Sequence, residues 1–403
     1  MNAFDLLRAR GFIQQDTGEE KLRAAFDAGP VVFYIGFDPT ADSLHAGHLL
    51  QVQLMAWLQQ LGHVAIAVVG GGTAAIPDPT GKTELRAFLD SRQLSDNTQG
   101  LRRQIERFLV LDGERGHLVD NAEWLMKLQY IPFLRDIGKH FSVNKMLTSE
   151  AYKIRLERGL SFIEFNYQIL QAFDFLELFR RYRCTLQCGG DDQWGNILAG
   201  VDLVRRCEAT EVYAFTTPLI TTATGAKMGK TAGGAVWLDP ARTSVFDWFQ
   251  YWLNVDDRDV GRFLRLYTFL PLVECQRLEA LPGADIREAK RVLARELTVR
   301  VHGAAAAAEA ERAAEAMVSG LASADLPTHA VDRNSDAARL LVVLAESGLA
   351  KSRSDARRLV EGGGVTVDGT RVDDPDLHLG TALAAGPVVV RVGRKRAVQV
   401  VVR

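Results

Sequence analysis

Four cysteines in 403 residues, Cys184, Cys188, Cys207 and Cys275, are too few and too irregularly spaced for a disulfide framework or a zinc knuckle. Cys184 and Cys188 read as a buried thiol pair in a reducing compartment. Neither charge is in excess: 48 Lys+Arg against 50 Asp+Glu leaves a net of -2, which excludes a strongly basic nucleic-acid coat. The composition also excludes a collagen, a coiled coil and a disordered tail. The opening Met1-Asn2-Ala3-Phe4-Asp5 has no basic head ahead of an apolar run, so no leader is expected. Long uninterrupted apolar runs are missing too. Residues 43–77 contain no Asp, Glu, Lys or Arg, yet Gln51, Gln53, Gln59, Gln60, three histidines and Gly70–Gly72 break them up. A membrane-spanning helix needs about 20 mostly apolar residues, so a cytoplasmic protein is expected. Single cores stop growing at roughly 250–300 residues, so at least two domains are expected.

Val31–Phe37 is a short continuous apolar run between Gly29-Pro30 and Asp38-Pro39, and reads as a buried strand. Leu49, Leu50, Leu54, Trp57, Leu58 and Leu61 then recur at helical spacing and stop at Gly62. Val64–Val69 is a second buried strand. Strand, helix and strand with short joints form a βαβ unit and imply a parallel sheet, so the fold class is α/β. A further strand at Thr185–Cys188 runs into Gly189-Gly190 and a helix from about Asn196. Ligands sit beyond the carboxyl ends of such strands, so segments 37–48, 70–82 and 189–196 should converge there. The sheet domain is expected over 1–243, a helical domain over 244–320, a linker over 321–334 and a small α+β domain over 335–403. Residues 334–403 hold 11 Lys+Arg and 8 Asp+Glu, which suggests a polyanion-facing module.

Two glycine-rich readings fail. Ile76-Pro77-Asp78-Pro79-Thr80-Gly81-Lys82-Thr83 ends like a phosphate loop, but Ile76 stands where the first glycine is needed and two prolines remove N–H donors. Gly70-Gly71-Gly72-Thr73-Ala74-Ala75 lacks the last glycine of a dinucleotide fingerprint. His45-Ala46-Gly47-His48 is more informative. It follows a buried strand and opens a helix, where unpaired N–H groups and the helix dipole favour an anion. Two histidines three apart face one side, and Gly47 would let a ligand approach the backbone; the alternative is two solvated histidines. Gly225-Ala226-Lys227-Met228-Gly229-Lys230-Thr231 could likewise be a solvated turn. Together, the two elements supply cations for a triphosphate leaving group. Nucleotidyl transfer needs positioning and charge stabilisation more than a protein base.

Tyr167, Gln171 and Asp174 share a helix face by their spacing, with Phe162, Phe165, Ile169, Phe173 and Leu176 opposite. Either the polar face is the wet side, or it lines a site; the absence of Lys and Arg from Gly159 to Phe179 favours neither decisively.

The stretches Tyr34–His48 and Gln187–Asn196, and the Lys227–Thr231 loop running on through Gly233-Gly234-Ala235-Val236-Trp237-Leu238, resemble the bacterial tyrosyl-tRNA synthetases, a family of class I aminoacyl-tRNA synthetases. His45–His48 matches the His-Ile-Gly-His signature with Ala for Ile. Lys227–Thr231 matches Lys-Met-Ser-Lys-Ser, with Gly229 and Thr231 departing. The likeness runs essentially end to end, and implies a Rossmann-like catalytic domain and a homodimer. It also implies ATP as substrate with Mg2+, no prosthetic group and no metal held by the protein itself. Tyr167, Gln171 and Asp78 would hold the tyrosine ammonium, Asp174 and Tyr34 its phenolic hydroxyl, and Gln187 would line that pocket. Thr40 and His45 would meet the ATP phosphates. His48, Gly190 and Asp192 would lie by the ribose, and Gln193 and Asp38 by the carboxylate and α-phosphate. Gly36 and Gly47 would let the nucleotide approach the backbone. Lys82 and Arg86 would join Lys227, Lys230 and Thr231 around pyrophosphate. Ile35 departs from relatives that carry a polar side chain there, and no ribose contact is assigned to it or to Gln51. The last 70 residues resemble a small RNA-binding module of a ribosomal small-subunit protein. Lys351, Arg353, Arg357 and Arg358, with Arg394-Lys395-Arg396, form either a solvated basic face or a contact for tRNA phosphates. The rival expectations are a tryptophanyl synthetase and a non-catalytic RNA-binding protein on the same scaffold.

Overall fold

Apolar runs too short for helices and too apolar for one wet face must be covered on both sides, and they pair as parallel strands. The computed structural model describes residues 2–76, 78, 90–148, 150–157, 159–223, 225, 228, 230–231, 234–319, 326–393 and 396–403. Its main sheet comprises β1 (Gln15–Asp16), β2 (Val32–Phe37), β3 (Val64–Val69), β4 (Gly116–Asp120), β5 (Leu186–Gly190) and β6 (Tyr213–Thr217), in the order β1-β6-β5-β2-β3-β4. Only β1 runs antiparallel. From β2 the sheet grows one way through β3 and β4, and the other way through β5 and β6. The order therefore reverses between β2 and β5, the place where open α/β sheets form ligand crevices. Tyr34 stands there, level with Gln187 on β5 and Ile66 on β3.

Helix α1 (Ala46–Gln60) connects β2 to β3 and ends before Gly62, whose φ of 89° demands a residue without a Cβ. Helix α2 (Phe162–Tyr182) starts at a reciprocal cap, the Ser161 hydroxyl accepting from the Glu164 amide and the Glu164 carboxylate from the Ser161 amide. Arg155 pairs with the same carboxylate at 3.0 Å, both side chains being buried, so breaking this ion pair is expected to destabilise the helix start. Phe175, Leu176 and Leu178 of α2 are fully buried in the core with Ile66 and Val68, each such burial contributing roughly 1.5–3 kcal/mol. Helix α3 (Trp194–Glu208) follows β5 and packs along α2, beginning two residues ahead of the expected Asn196.

The chain divides into two units, Met1–Lys230 with Ala235–Asp239 and Asp256–Ala289, and Thr231–Gly234 with Pro240–Val255 and Lys290–Arg403. The helical domain expected over 244–320 is thus shared between them. Helix Asp257–Tyr267 joins the sheet unit because the buried Arg10 guanidinium donates to the carbonyls of Arg265, Thr268 and Leu270 at that helix's C-terminal end. In the second unit, helix Val245–Leu253 packs on Ala304–Ser319 with Trp248 and Trp252 fully buried.

That unit also holds a five-stranded sheet in the order Thr370–Val372, Val365–Val367, Val388–Val392, Arg396–Val402 and Thr328–Val331. The last of these corrects the linker reading of 321–334. Residues 328–331 form an edge strand parallel to the final strand, a pairing that no local pattern announces. The Asp368-Gly369 turn has φ of 47° and 82°, the backbone of a tight hairpin. Among the described residues, no helix is long and apolar enough to cross a membrane.

Candidate active site

A cavity of about 450 Å³ opens where the sheet order reverses. It is lined by every predicted tyrosine- or nucleotide-site residue whose side chain or glycine backbone is described: Tyr34, Gly36, Asp38 and Thr40 around β2; His45, Gly47 and His48 at the start of α1; Asp78; Tyr167, Gln171 and Asp174 on α2; and Gln187, Gly190, Asp192 and Gln193 at β5. Lys82, Arg86 and Lys227 lie outside the described residues, as do the side chains of Lys230 and Thr231.

The two histidines cap their own helix. His45 Nδ1 accepts the Gly47 amide at 3.0 Å, and His48 Nδ1 accepts the His45 amide at 3.2 Å. Acceptance at Nδ1 places the proton of each neutral ring on Nε2, as a donor beside the positive end of the helix dipole. The rings stack with centroids 3.8 Å apart, and Trp237 meets His45 edge-on at 6.0 Å. A Cβ on Gly47 would fall 2.8 Å from His45 Cε1, so this glycine is needed by the His45 ring itself. Gly36, also expected to let a ligand approach the backbone, has nothing within 4 Å of where its Cβ would stand. The segment that follows the lysine loop returns to the same place: the Ala46 amide donates to Val236 O and the Leu238 amide to Leu44 O, both at 2.9 Å.

The polar face of α2 is not the wet side. Tyr167 and Asp174 are buried and face the cavity, whereas Phe162, expected on the apolar side, is 70 % exposed. Asp174 accepts from Trp124 Nε1 at 2.7 Å and from Asn121 Nδ2 at 2.9 Å. Burial nevertheless pushes its carboxyl up to about 7, against the pull of those two donors. The Tyr34 hydroxyl and Gln187 Oε1 are buried with no hydrogen-bond partner. Burial raises the Tyr34 and Tyr167 phenols well above their usual range, so both are neutral donors. Tyr167 donates to Asp38 Oδ2 at 2.9 Å. Asp78 accepts from Gln193 at 2.9 Å, and Asn196 in turn fixes the Gln193 amide at 3.0 Å. Asp191, beside the cavity-lining Asp192, instead ties Gln15 to Thr216.

Thr73, Asn121 and Trp124 escaped the sequence reading. Asn121 and Trp124 directly follow β4, a strand too short and too polar to stand out. The glycine trio that failed as a fingerprint makes room for this group: a Cβ on Gly70 would lie 2.2 Å from Asp38 Oδ1 and 2.5 Å from Thr73 Oγ1.

In the second unit, the four predicted RNA contacts lie on or beside helix Arg353–Glu361, capped by Ser352. Arg357 reaches Glu361 and Asp376 at 3.7 and 3.5 Å, and Arg358 reaches Asp355 at 3.2 Å, all at the surface. Arg394 and Lys395 lie outside the described residues.

A mostly parallel sheet, a histidine-capped helix at its switch point and the segment Val236–Leu238 paired beside that helix start fit a nucleotidyl-transferring enzyme of class I synthetase type. The model of that family, tRNA synthetases class I (W and Y), matches residues 27–319, and the S4 domain model matches 338–381. A tyrosine–tRNA ligase of Clostridium kluyveri is 47 % identical over 404 residues, covering 100 % of both chains. One of Clostridium botulinum is 48 % identical over 405 residues, with the same coverage. The chain belongs to the tyrosine–tRNA ligase family. Among solved structures, a C-terminally truncated mitochondrial tyrosyl-tRNA synthetase of Aspergillus nidulans superposes with a TM-score of 0.70 at 30 % identity, covering 77 % of this chain and 92 % of that one. A tryptophanyl-tRNA synthetase of Encephalitozoon cuniculi superposes at 0.57 with 13 % identity, covering 76 % of this chain and 87 % of that one, which is a likeness of fold alone.

Proposed function

We propose that this chain activates L-tyrosine with ATP and transfers it to the terminal adenosine of tRNA(Tyr) in the cytoplasm. The observation that carries the substrate assignment is the pair at the cavity floor, Asp174 and the unpartnered Tyr34 hydroxyl. A substrate hydroxyl donates to the carboxylate and accepts from Tyr34, satisfying both. An indole N–H can only donate, which would leave Tyr34 orphaned at a cost of about 1–3 kcal/mol. This favours tyrosine over tryptophan.

With the phenol at that floor, the ammonium meets Asp78, Tyr167 and Gln171, and the carboxylate points past Asp38 and Gln193 towards the α-phosphate. The carboxylate oxygen forms a bond to that phosphorus as the bond to the β-phosphate bridging oxygen breaks, giving tyrosyl-adenylate and pyrophosphate. Thr40 and the Nε2–H groups of His45 and His48 donate to phosphate and ribose oxygens, with Gly190 and Asp192 beside the ribose. Lys82, Arg86, Lys227, Lys230 and Thr231 take the charge that moves onto pyrophosphate. Mg2+ would enter with the nucleotide, as part of that substrate, and neutralise charge on its phosphates. In the second step the tRNA ribose hydroxyl attacks the tyrosyl carbonyl and AMP leaves. The S4 domain, with Lys351, Arg353, Arg357 and Arg358, supplies contacts to tRNA phosphates.

ATP–pyrophosphate exchange measured with tyrosine, tryptophan and phenylalanine tests the reading. Tyrosine should support exchange far better than the others; preference for tryptophan, or no exchange at all, would overturn it in favour of one or other rival.

A homodimer completes the reading. Met126, Tyr130, Ile131 and Phe162 of the sheet unit are large side chains left 62–73 % exposed, and a partner subunit would cover them. Ile131→Asp is expected to shift the protein towards monomer in sedimentation equilibrium. An unchanged mass for both Ile131→Asp and Phe162→Asp would remove that surface from the interface.

A further inference from the structure

Asn121 is 1 % exposed and uses its whole carboxamide. Oδ1 accepts the amides of Gly72 and Thr73 at 2.8 and 3.4 Å, while Nδ2 donates to Thr73 Oγ1 at 3.0 Å and Asp174 Oδ2 at 2.9 Å. With two donors and two acceptors engaged, the direction of the next bond is set. The Thr73 hydroxyl accepts a hydrogen bond from Asn121, so it donates its own to Asp38 Oδ1, 3.0 Å away. The other Asp38 oxygen accepts from Tyr167, which leaves the Tyr167 lone pairs to face a donor. A continuous bonded path therefore joins the carboxylate at the phenol end of the cavity to the carboxylate–tyrosine pair at the ammonium end. The space for it is reserved, since any side chain on Gly70 would strike both Asp38 and Thr73.

We propose that Thr73 is a positioning residue that couples recognition of the substrate hydroxyl at Asp174 to the placement of Asp38 and Tyr167, and so determines part of the specificity. The inference rests on the tyrosine-activating function proposed above. The sign of the coupling follows from the shared amide. Asn121 donates to two acceptors at once, and strong donation to a bare carboxylate weakens donation to Thr73. A substrate hydroxyl donating to Asp174 relieves that demand. The Asn121–Thr73–Asp38 run, aligned donor to acceptor, then tightens cooperatively in a water-poor site. Tyrosine thus sharpens the geometry around its own ammonium and carboxylate; phenylalanine, without the hydroxyl, does not.

Thr73→Val keeps the shape and removes the hydroxyl, and Thr73→Ser restores it. In pyrophosphate exchange by the full chain, Thr73→Val should lower kcat/KM for tyrosine about tenfold, chiefly in kcat, the scale of one hydrogen bond to a charged group. The tyrosine-to-phenylalanine ratio should fall by about threefold or more, within the range of couplings measured inside one network. Thr73→Ser should recover both. The ratio does not depend on how much of the variant is folded, so a partly unfolded sample cannot mimic the effect. Equal losses for both amino acids, or a serine variant as impaired as the valine one, would overturn the coupling while leaving the tyrosine assignment intact. A wild-type chain that fails to prefer tyrosine would overturn that assignment instead.

Discussion

Asp174→Asn is expected to lower kcat/KM for tyrosine roughly ten- to a hundredfold while leaving phenylalanine within a few fold, because a hydrogen bond to an ionised group contributes about 1.5–3 kcal/mol. The structure makes the change costlier than loss of charge alone. The two carboxylate oxygens each accept from a buried donor, Asn121 on one side and Trp124 on the other. An amide at 174 must set its own NH2 against one of them. Tyr34→Phe should erode the preference less, about two- to tenfold, since it removes a neutral hydrogen bond. It also deletes a hydroxyl that is buried without a partner, so this variant should unfold at the wild-type temperature or above. Steady-state exchange with both amino acids separates the cases: a larger loss in Tyr34→Phe than in Asp174→Asn would displace Asp174 from the phenol.

The same carboxyl ties specificity to stability. Its folded value of about 7 lies above the ordinary carboxylate range, so between about pH 4 and 7 the folded chain holds a proton that the unfolded chain has released. Stability is therefore greatest below that window and falls as pH rises through it, by up to about 4 kcal/mol. Asn at 174 has no proton to lose. The melting temperature of Asp174→Asn relative to wild type should rise from pH 5 to pH 8, whatever the offset from its mismatched donor. A flat difference would mean that the carboxyl is ionised throughout. Bound tyrosine, by donating to the carboxylate, should bring its titration back down.

What could be read in advance follows how local the signal is. β2, α1 and β3 stood out because each run is apolar in its own period, and His45–His48 because a helix start advertises its unpaired amides. The contact between Gly47 and the His45 ring did not: spacing says only that a side chain is missing, and the ring that would meet it becomes visible only in three dimensions. Thr73 and Asn121 are 48 residues apart and meet only because β3 and β4 lie side by side, so neither pattern nor spacing could join them. Strand Thr328–Val331 was lost to the linker for the same reason, its partner being the last strand of the chain. The α2 face could be read either way because three polar residues at helical spacing look alike on a wet surface and on a cavity wall. Burial decided it.

Lys227→Ala and Lys230→Ala should each lower the rate of tyrosyl-adenylate formation about 10²–10³-fold while leaving tyrosine affinity within a few fold. The expectation follows from where charge moves. Breaking the bond to the β-phosphate loads negative charge on pyrophosphate only as the transition state is approached, so a cation placed there acts on the rate and hardly on the ground state. Removing one donor aimed at such developing charge costs about 2.7–4 kcal/mol in enzymes where it has been tested. The fold gives the selective effect a basis. The segment after the loop is paired to Leu44–Ala46, beside the histidine-capped helix start, whereas the proposed phenol site lies among β2, β5 and α2. If both lysines serve the same leaving group, the double variant should lose less than the product of the two single losses, because interactions sharing one partner are not independent. Rapid-mixing measurement of adenylate formation alongside equilibrium binding of tyrosine checks each part. Collapse of tyrosine binding with the rate intact would place these lysines at the amino acid, and full multiplicativity of the two losses would give them separate tasks.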